Sequence, residues 1–195
     1  MDKQDDLRIL KTKRAIKNAF FDLVNEKTFE KVAISDIADK AMINRATFYL
    51  HYQDKYDLLN HLENEVLNDI EKISLMVTRK YILTCTKQGL VFPHVTKLLS
   101  YVEDNPKFFN LVANDSIGLP FYNKIGEKIS KKIFDVLPEL KSDQTLWQYM
   151  QNCVISAYSS IINQWIRNDR KESKEEIALL ITKLTKTMLA DIKIS

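Results

Sequence analysis

Apolar residues recur along most of this chain at the three-and-four spacing of amphipathic helices. Ile16, Ala19, Phe20 and Leu23 form one such stripe and predict a helix over residues 7–26. A short second helix starts at Ser35, with Asp36 at its positive end, and stops near Ala41. Asn44 is a good N-cap for a third, reaching about Tyr52. Asp54 caps a long fourth helix, whose stripe of Leu59, Leu62, Val66, Ile70 and Ile73 carries it toward Arg79. Beyond it the pattern predicts helices over 84–103, with Gly89 and Pro93 as candidate breaks, and over 107–113 after Pro106. Residues 114–120 read as a loop. Further helices are expected over 121–136, ended by Pro138, over 143–168 and over 173–192. The last opens on Ser173-Lys174-Glu175-Glu176, a capping box. The expectation is an all-α chain of about nine helices.

Two short helices joined by a tight turn form the most informative stretch, residues 34–59. Ile37, Ala38, Ile43 and Phe48 can pin two crossing helices, leaving the polar and aromatic positions between them facing outward. A helix-turn-helix presents its second helix to a DNA major groove in this way. Arg45 would occupy the first helical position, where a guanidinium can donate two parallel hydrogen bonds to guanine, worth roughly 1–3 kcal/mol of discrimination. Ala46 can touch a thymine methyl, and Tyr49, one turn on, a base or a backbone oxygen. Ser35 offers a hydroxyl to a phosphate at the start of the second helix. Each of these residues also has an ordinary surface or packing reading, and it is their coincidence on one short helix that points to DNA.

Composition changes this picture little. Of 195 residues 45% are apolar, enough for a sizeable core, and three Gly with four Pro suit a helical chain. The net charge of +3 does not by itself mark a nucleic-acid binder. Its distribution matters more: Arg8, Lys11, Lys13, Arg14 and Lys17 form a basic run without an acidic residue just before the paired short helices. Cys85 and Cys153 are far apart, sit among apolar residues and read as buried free thiols of a reducing cytoplasm. No apolar leader or 18-residue apolar run predicts export or a membrane span. His51, His61 and His94 make no metal pattern, and neither a nucleophile–base arrangement nor a Gly-rich phosphate loop suggests an enzyme. No cofactor or metal is expected.

The run Ile37-Ala38, Thr47-Phe48-Tyr49, His51-Tyr52, Asp54-Lys55 and Leu58-Leu59 resembles the DNA-binding head of the TetR family of bacterial transcriptional regulators, which reads T-[LF]-Y-x-[HY]-[FY]-x-[SND]-K-x-x-L-[LF] here. Residues 8–59 carry this likeness. Residues 81–192 are similar to the family's variable effector bodies, through Phe108-Phe109, Leu111-Val112, Ile161 and Trp165-Ile166. Three positions depart from the pattern. Thr28 stands where a Gly is common, Ala33 where a capping Thr is common, and Met42 where the turn commonly has Gly. A non-glycine left-handed residue at Met42 costs roughly 1–2 kcal/mol.

The resemblance implies a DNA-binding domain over residues 1–55 and a helical ligand-binding and dimerisation domain over 56–195. It places Thr47, His51 and Lys55 on phosphates beside Ser35, Asn44, Arg45, Ala46 and Tyr49. It implies an effector pocket, with Phe92, Tyr101, Phe108, Phe109, Phe121, Tyr122, Trp147 and Tyr149 as lining candidates, although the same aromatics fit an ordinary core. It also implies a homodimer through the last two helices, with Tyr158, Ile161, Ile162, Trp165, Ile177, Leu180, Ile181, Leu184 and Met188 as candidates. The expected function is a cytoplasmic, sequence-specific regulator, a repressor on a near-palindromic operator of double-stranded DNA. A small-molecule or protein effector would release it. The alternative is a helical protein-interaction or co-activator module of the same shape with weak or non-specific DNA binding.

Overall fold

The structure is a computed structural model that describes residues 3–114, 117–137 and 144–189. Among these residues it holds ten α-helices and no strand. The chain separates into two compact units, 1–65 and 66–195.

The first unit is built on α1 (Lys3–Glu26), a 3-10 turn (Phe29–Lys31), α2 (Ile34–Lys40), α3 (Arg45–Tyr49) and the opening turns of α4 (Lys55–Ser74). Its core is apolar and aromatic. Ile16, Phe20, Ile37, Ala38, Phe48 and Leu58 expose no surface. Phe29 packs edge-on to Phe20 at 6.0 Å and to Tyr56 at 5.2 Å, in the geometry that aromatic quadrupoles favour.

Helix α2 starts one residue before the expected Ser35, and the hydroxyl is not its cap. Ala33 is the N-cap and has no acceptor of its own. The Asp36 carboxylate supplies the cap instead, accepting from the Ala33 N–H at 3.0 Å and from the Lys27 ammonium at 2.5 Å. The Lys27 bond first, and then the Ala33 N–H, hold the Asp36 carboxyl below the usual carboxylate range. A second ion pair, Lys40 to Glu26 at 2.5 Å, also ties α2 to α1.

The turn into α3 is a Schellman motif. Ile43 N–H donates to Ala38 O at 2.9 Å, Met42 N–H donates to Asp39 O at 3.1 Å, and Met42 takes φ 54°. Helix α3 is shorter than expected. It ends at Tyr49, because Leu50 caps it and the His51 N–H bonds to the nearer carbonyl of Phe48. Asp54 caps α4 as expected, accepting from the Tyr56 and Asp57 N–H groups at 2.8 Å.

The second unit contains the rest of α4, then α5 (Arg79–Lys87), α6 (Pro93–Asp104), α7 (Pro106–Asn114), α8 (Gly118–Val136), α9 (Gln144–Arg167) and α10 (Lys174–Leu189). The single helix expected over 84–103 is two, which makes ten helices in place of nine. Gly89 at φ 68° ends α5 in a second Schellman turn, and Pro93 opens α6. The expected loop over 114–120 is shorter on its C-terminal side, since Gly118, Leu119 and Pro120 form the first turn of α8. Asp115, Ser116, Pro138, Asp143 and the end of the last helix lie outside the described residues.

Helix α9 is the hub of this unit and packs against α7, α8 and α10, while α6 packs on α10. A Cβ at Gly126 of α8 would clash with Ile155 of α9, so glycine allows this close approach. Ser173 and Glu176 form the expected capping box, with Ser173 N–H donating to Glu176 Oε2 at 2.8 Å. Phe92 N–H finds the buried Thr182 Oγ1 at 3.1 Å.

Met42 is 92% exposed, so its side chain contributes little besides the left-handed strain. Met42→Gly is expected to stabilise the chain by about 1 kcal/mol, raising Tm by roughly 2–4 °C in a thermal scan.

Candidate nucleic-acid interface and effector cavity

Helix α3 has only five residues, and one of them faces inward. Phe48 is fully buried, whereas Arg45, Ala46 and Tyr49 are exposed and share one face with the Asn44 cap and Leu50. Asn44 Oδ1 accepts from Ala46 N–H at 2.9 Å, which fixes the helix start and holds Arg45 in the first turn. Arg45 has no carboxylate partner among the described residues. Thr47 and His51 are half-buried at the margin of this face. Burial, and then the charge of Lys13, push the His51 pKa down, so near neutral pH the ring presents a neutral N–H and not a cation.

The basic run ahead of this face divides in two. Lys11, Lys13 and Arg14 are exposed on α1. Lys17 is committed to Glu65 at 2.7 Å.

Lys55 departs from expectation. Its ammonium donates to the carbonyls of Phe29 (3.0 Å), Glu30 (2.7 Å) and Val32 (3.1 Å). It also sits 4.9 Å from the Phe29 ring centroid. An ammonium has three donors, and all three are engaged, so the Lys55 side chain braces the 3-10 turn and has no ammonium proton left for a phosphate. Nothing in its spacing signals this, because the partners lie more than twenty positions away. Leu50 and Met42, 81% and 92% exposed, flank the same face, and nothing in the spacing signals that these apolar side chains project into solvent. Only the end of α3 at Tyr49 reveals that Leu50 projects.

The second unit encloses an apolar cavity of about 200 Å³. Of the eight aromatic candidates, Phe92, Phe109, Tyr122 and Trp147 line it. The other four aromatic candidates do not. Tyr101 turns its hydroxyl to Asp69 at 3.2 Å. Phe108 and Phe121 stack edge-on at 5.0 Å within the core. Tyr149 is 70% exposed.

Several expected dimer residues are also placed elsewhere. Ile162, Trp165, Ile177 and Ile181 are buried within the chain, and Trp165 donates its indole N–H to Glu172 O at 2.8 Å. Tyr158 and Met188 line the cavity with Ile162, and Tyr158 is bonded to Thr185 at 2.6 Å. A side chain already used in the core of its own unit cannot form a surface for a second copy. Leu180 remains exposed, while Ile161 and Leu184 are half-buried.

A short helix held by a Schellman turn against α2, with an arginine leading its exposed face, defines a helix-turn-helix DNA-binding protein. The tetR-family model of bacterial regulatory proteins matches residues 18–62, and a transcriptional regulator C-terminal region model matches residues 91–187. The chain belongs to the TetR family of bacterial transcriptional regulators.

Among its relatives is an HTH-type dhaKLM operon transcriptional activator of Lactococcus lactis, 25% identical over 94% of this chain and 91% of that protein. An uncharacterized HTH-type regulator of Bacillus subtilis is 46% identical over 59 residues, which span 30% of this chain and only 16% of that protein. A TetR regulator from Streptococcus agalactiae has the same fold, with a TM-score of 0.65 and 22% identity over 92% of this chain and 96% of that one. The structure of a dihydroxyacetone kinase operon activator gives 0.52 and 23% over 94% and 97%. No helix among the described residues is long and apolar enough to cross a membrane.

Lys55→Ala should destabilise the first unit by about 1–3 kcal/mol, because it leaves three carbonyls without their donor. Thermal unfolding should show the loss in the absence of DNA. An unchanged melting curve together with weakened DNA binding would restore the phosphate role.

Proposed function

We propose that the chain binds a near-palindromic operator as a homodimer and that an effector seated in the second unit alters this binding. The observation that carries the DNA half is the exposed α3 face, on which Arg45, Ala46 and Tyr49 stand together around a fully buried Phe48. In this reading Arg45 donates to a guanine edge, Ala46 and Tyr49 meet neighbouring bases, and Thr47, His51 and Ser35 hold the backbone. Lys11, Lys13 and Arg14 add sequence-independent attraction.

A five-residue reading helix makes few base contacts, and a two-fold pair doubles them. The exposed face of α9 suits such a pairing. Its residues are Thr145, Tyr149, Asn152, Cys153, Ser156 and Ser160, and no charged residue occurs in the helix before Arg167. In a chain that is 28% charged, an exposed helix face without charge supports an interface there, because charged residues are depleted at interface cores. Leu179 and Leu180 of α10 are exposed apolar residues that can extend it.

Repression by occluding a promoter is the first reading of the outcome. Activation is the second, favoured by the Lactococcus relative, which is an operon activator and aligns along nearly its whole length. Deleting the chain in a reporter strain separates them, since expression rises for a repressor and falls for an activator.

Operator preference tests the site. Arg45→Ala should reduce the preference for a selected operator over random duplex by about ten-fold or more, in line with a lost bidentate contact of roughly 1–3 kcal/mol. Arg14→Ala should weaken both duplexes alike and reduce the salt slope by about 1. Identical sequence preference after Arg45→Ala would remove Arg45 from base reading. For the pairing, Ser156→Arg should shift the chain toward monomer in sedimentation velocity and weaken operator binding. A dimer indifferent to that charge would place the interface on another surface.

A further inference from the structure

The effector cavity, whose role rests on the function just proposed, carries enough chemistry to name the class of molecule it accepts. Its volume of about 200 Å³ far exceeds the roughly 10–15 Å³ that one trapped water needs, so it is not a packing flaw. No Asp, Glu, Lys or Arg lines it.

Its polar groups are mostly spent on partners within the protein. Tyr122 donates to Asn163 Oδ1 at 2.5 Å, and Ser74 and Ser159 donate to carbonyls of their own helices. Thr185 donates to Ile181 O at 2.8 Å and so receives the Tyr158 hydroxyl proton.

Beyond the acceptor lone pairs of these hydroxyls, His94 and Gln151 bring hydrogen-bonding capacity to the lining. His94 is tied at Nδ1 to the Tyr81 hydroxyl at 2.9 Å, and that hydroxyl also accepts the His94 backbone N–H at 3.1 Å. This clamp fixes the ring and leaves Nε2 as its second polar atom. Burial holds the His94 pKa down to about 4, so the ring is neutral at pH 7 and offers no counter-charge. Gln151 donates to Gly126 O at 3.3 Å and retains its amide oxygen. Both residues are neutral and sit among aliphatic and aromatic walls.

We propose that the cavity binds an uncharged, mainly apolar small molecule carrying a single hydrogen-bonding group, which His94 or Gln151 receives. A carboxylate or ammonium ligand would enter a site with no opposite charge and lose its hydration uncompensated. A hydroxyl or carbonyl at one end of a hydrocarbon body loses little, because one neutral partner satisfies it while the body fills the apolar walls.

The test uses three probes of equal length on the full chain, 1-decanol, decanoate and decylammonium, with affinity read by titration calorimetry at pH 7.5. One decanol per chain should bind, and both charged analogues should bind about ten-fold or more weakly. Val154→Phe fills the cavity and should weaken decanol about ten-fold or more. Ile155→Phe does the same from the next position, should the first variant fail to fold by circular dichroism. Equal affinity for decanoate or decylammonium overturns the neutral-ligand assignment. Decanol that does not bind, or that binds both folded variants unchanged, overturns the site. Operator binding by the unliganded wild-type chain is measured in parallel. Its loss would refute the DNA-binding reading, whereas failure of the probes leaves it intact.

Discussion

The position of α3 depends on its packing against α2, where Ile37, Ala38 and Phe48 expose no surface. A helix of five residues cannot stand alone, since nucleation is unfavourable and so few residues add too few hydrogen bonds to repay it. It exists because Phe48 is buried against α2 and because the turn at Met42 delivers the chain at the right angle. Ala38 sits in the middle of this contact and supplies the Schellman carbonyl as well. Its small size therefore serves both the helix crossing and the turn. Orientation of the exposed α3 residues follows from packing, and what they can contact follows from orientation.

Cations in the first unit divide into two populations. Lys17, Lys27, Lys40 and Lys55 are bound to carboxylates or carbonyls of the same unit. Arg45, Lys11, Lys13 and Arg14 stand exposed. The exposed ion pairs contribute little to stability on their own and weaken as salt rises. The Lys55 arrangement is different in kind, since three carbonyls and two aromatic faces surround one ammonium. Count of basic residues thus overstates what is available to a polyanion.

Helix existence was legible wherever the apolar stripe was long, as in α1, α4 and α10. The helix-turn-helix was legible because its spacing, the Asn44 cap and the turn coincide within a short window. Endings were less so. Met42 was foreseen in a left-handed turn from its place in the pattern, but the matching turn at Asp169 and Arg170, at φ 56° and 54°, carries no glycine to announce it. Lys55 was misplaced because its partners are distant in sequence. The aromatic set of the second unit was legible as apolar and illegible as cavity or core. Phe108 and Phe109 are neighbours in sequence, yet only Phe109 reaches the cavity. Helical rotation decides between them, and rotation is fixed by packing against α9.

Helix α9 shows why cavity and surface in the second unit are not independent. Met150, Val154 and Tyr158 form part of the cavity wall, while Tyr149, Asn152, Cys153, Ser156 and Ser160 form the exposed face of the same rod. Close-packed interiors transmit strain because they have few voids to absorb it. Under the proposed function, a molecule in the cavity would press on α9 from within, and the rod would respond by shifting as a body between packed arrangements. Gly126 of α8 leaves room for the tip of the Ile155 side chain of α9. Occupancy could act on DNA affinity only through different affinities of the ligand for two such arrangements, since equal affinity for both would shift nothing.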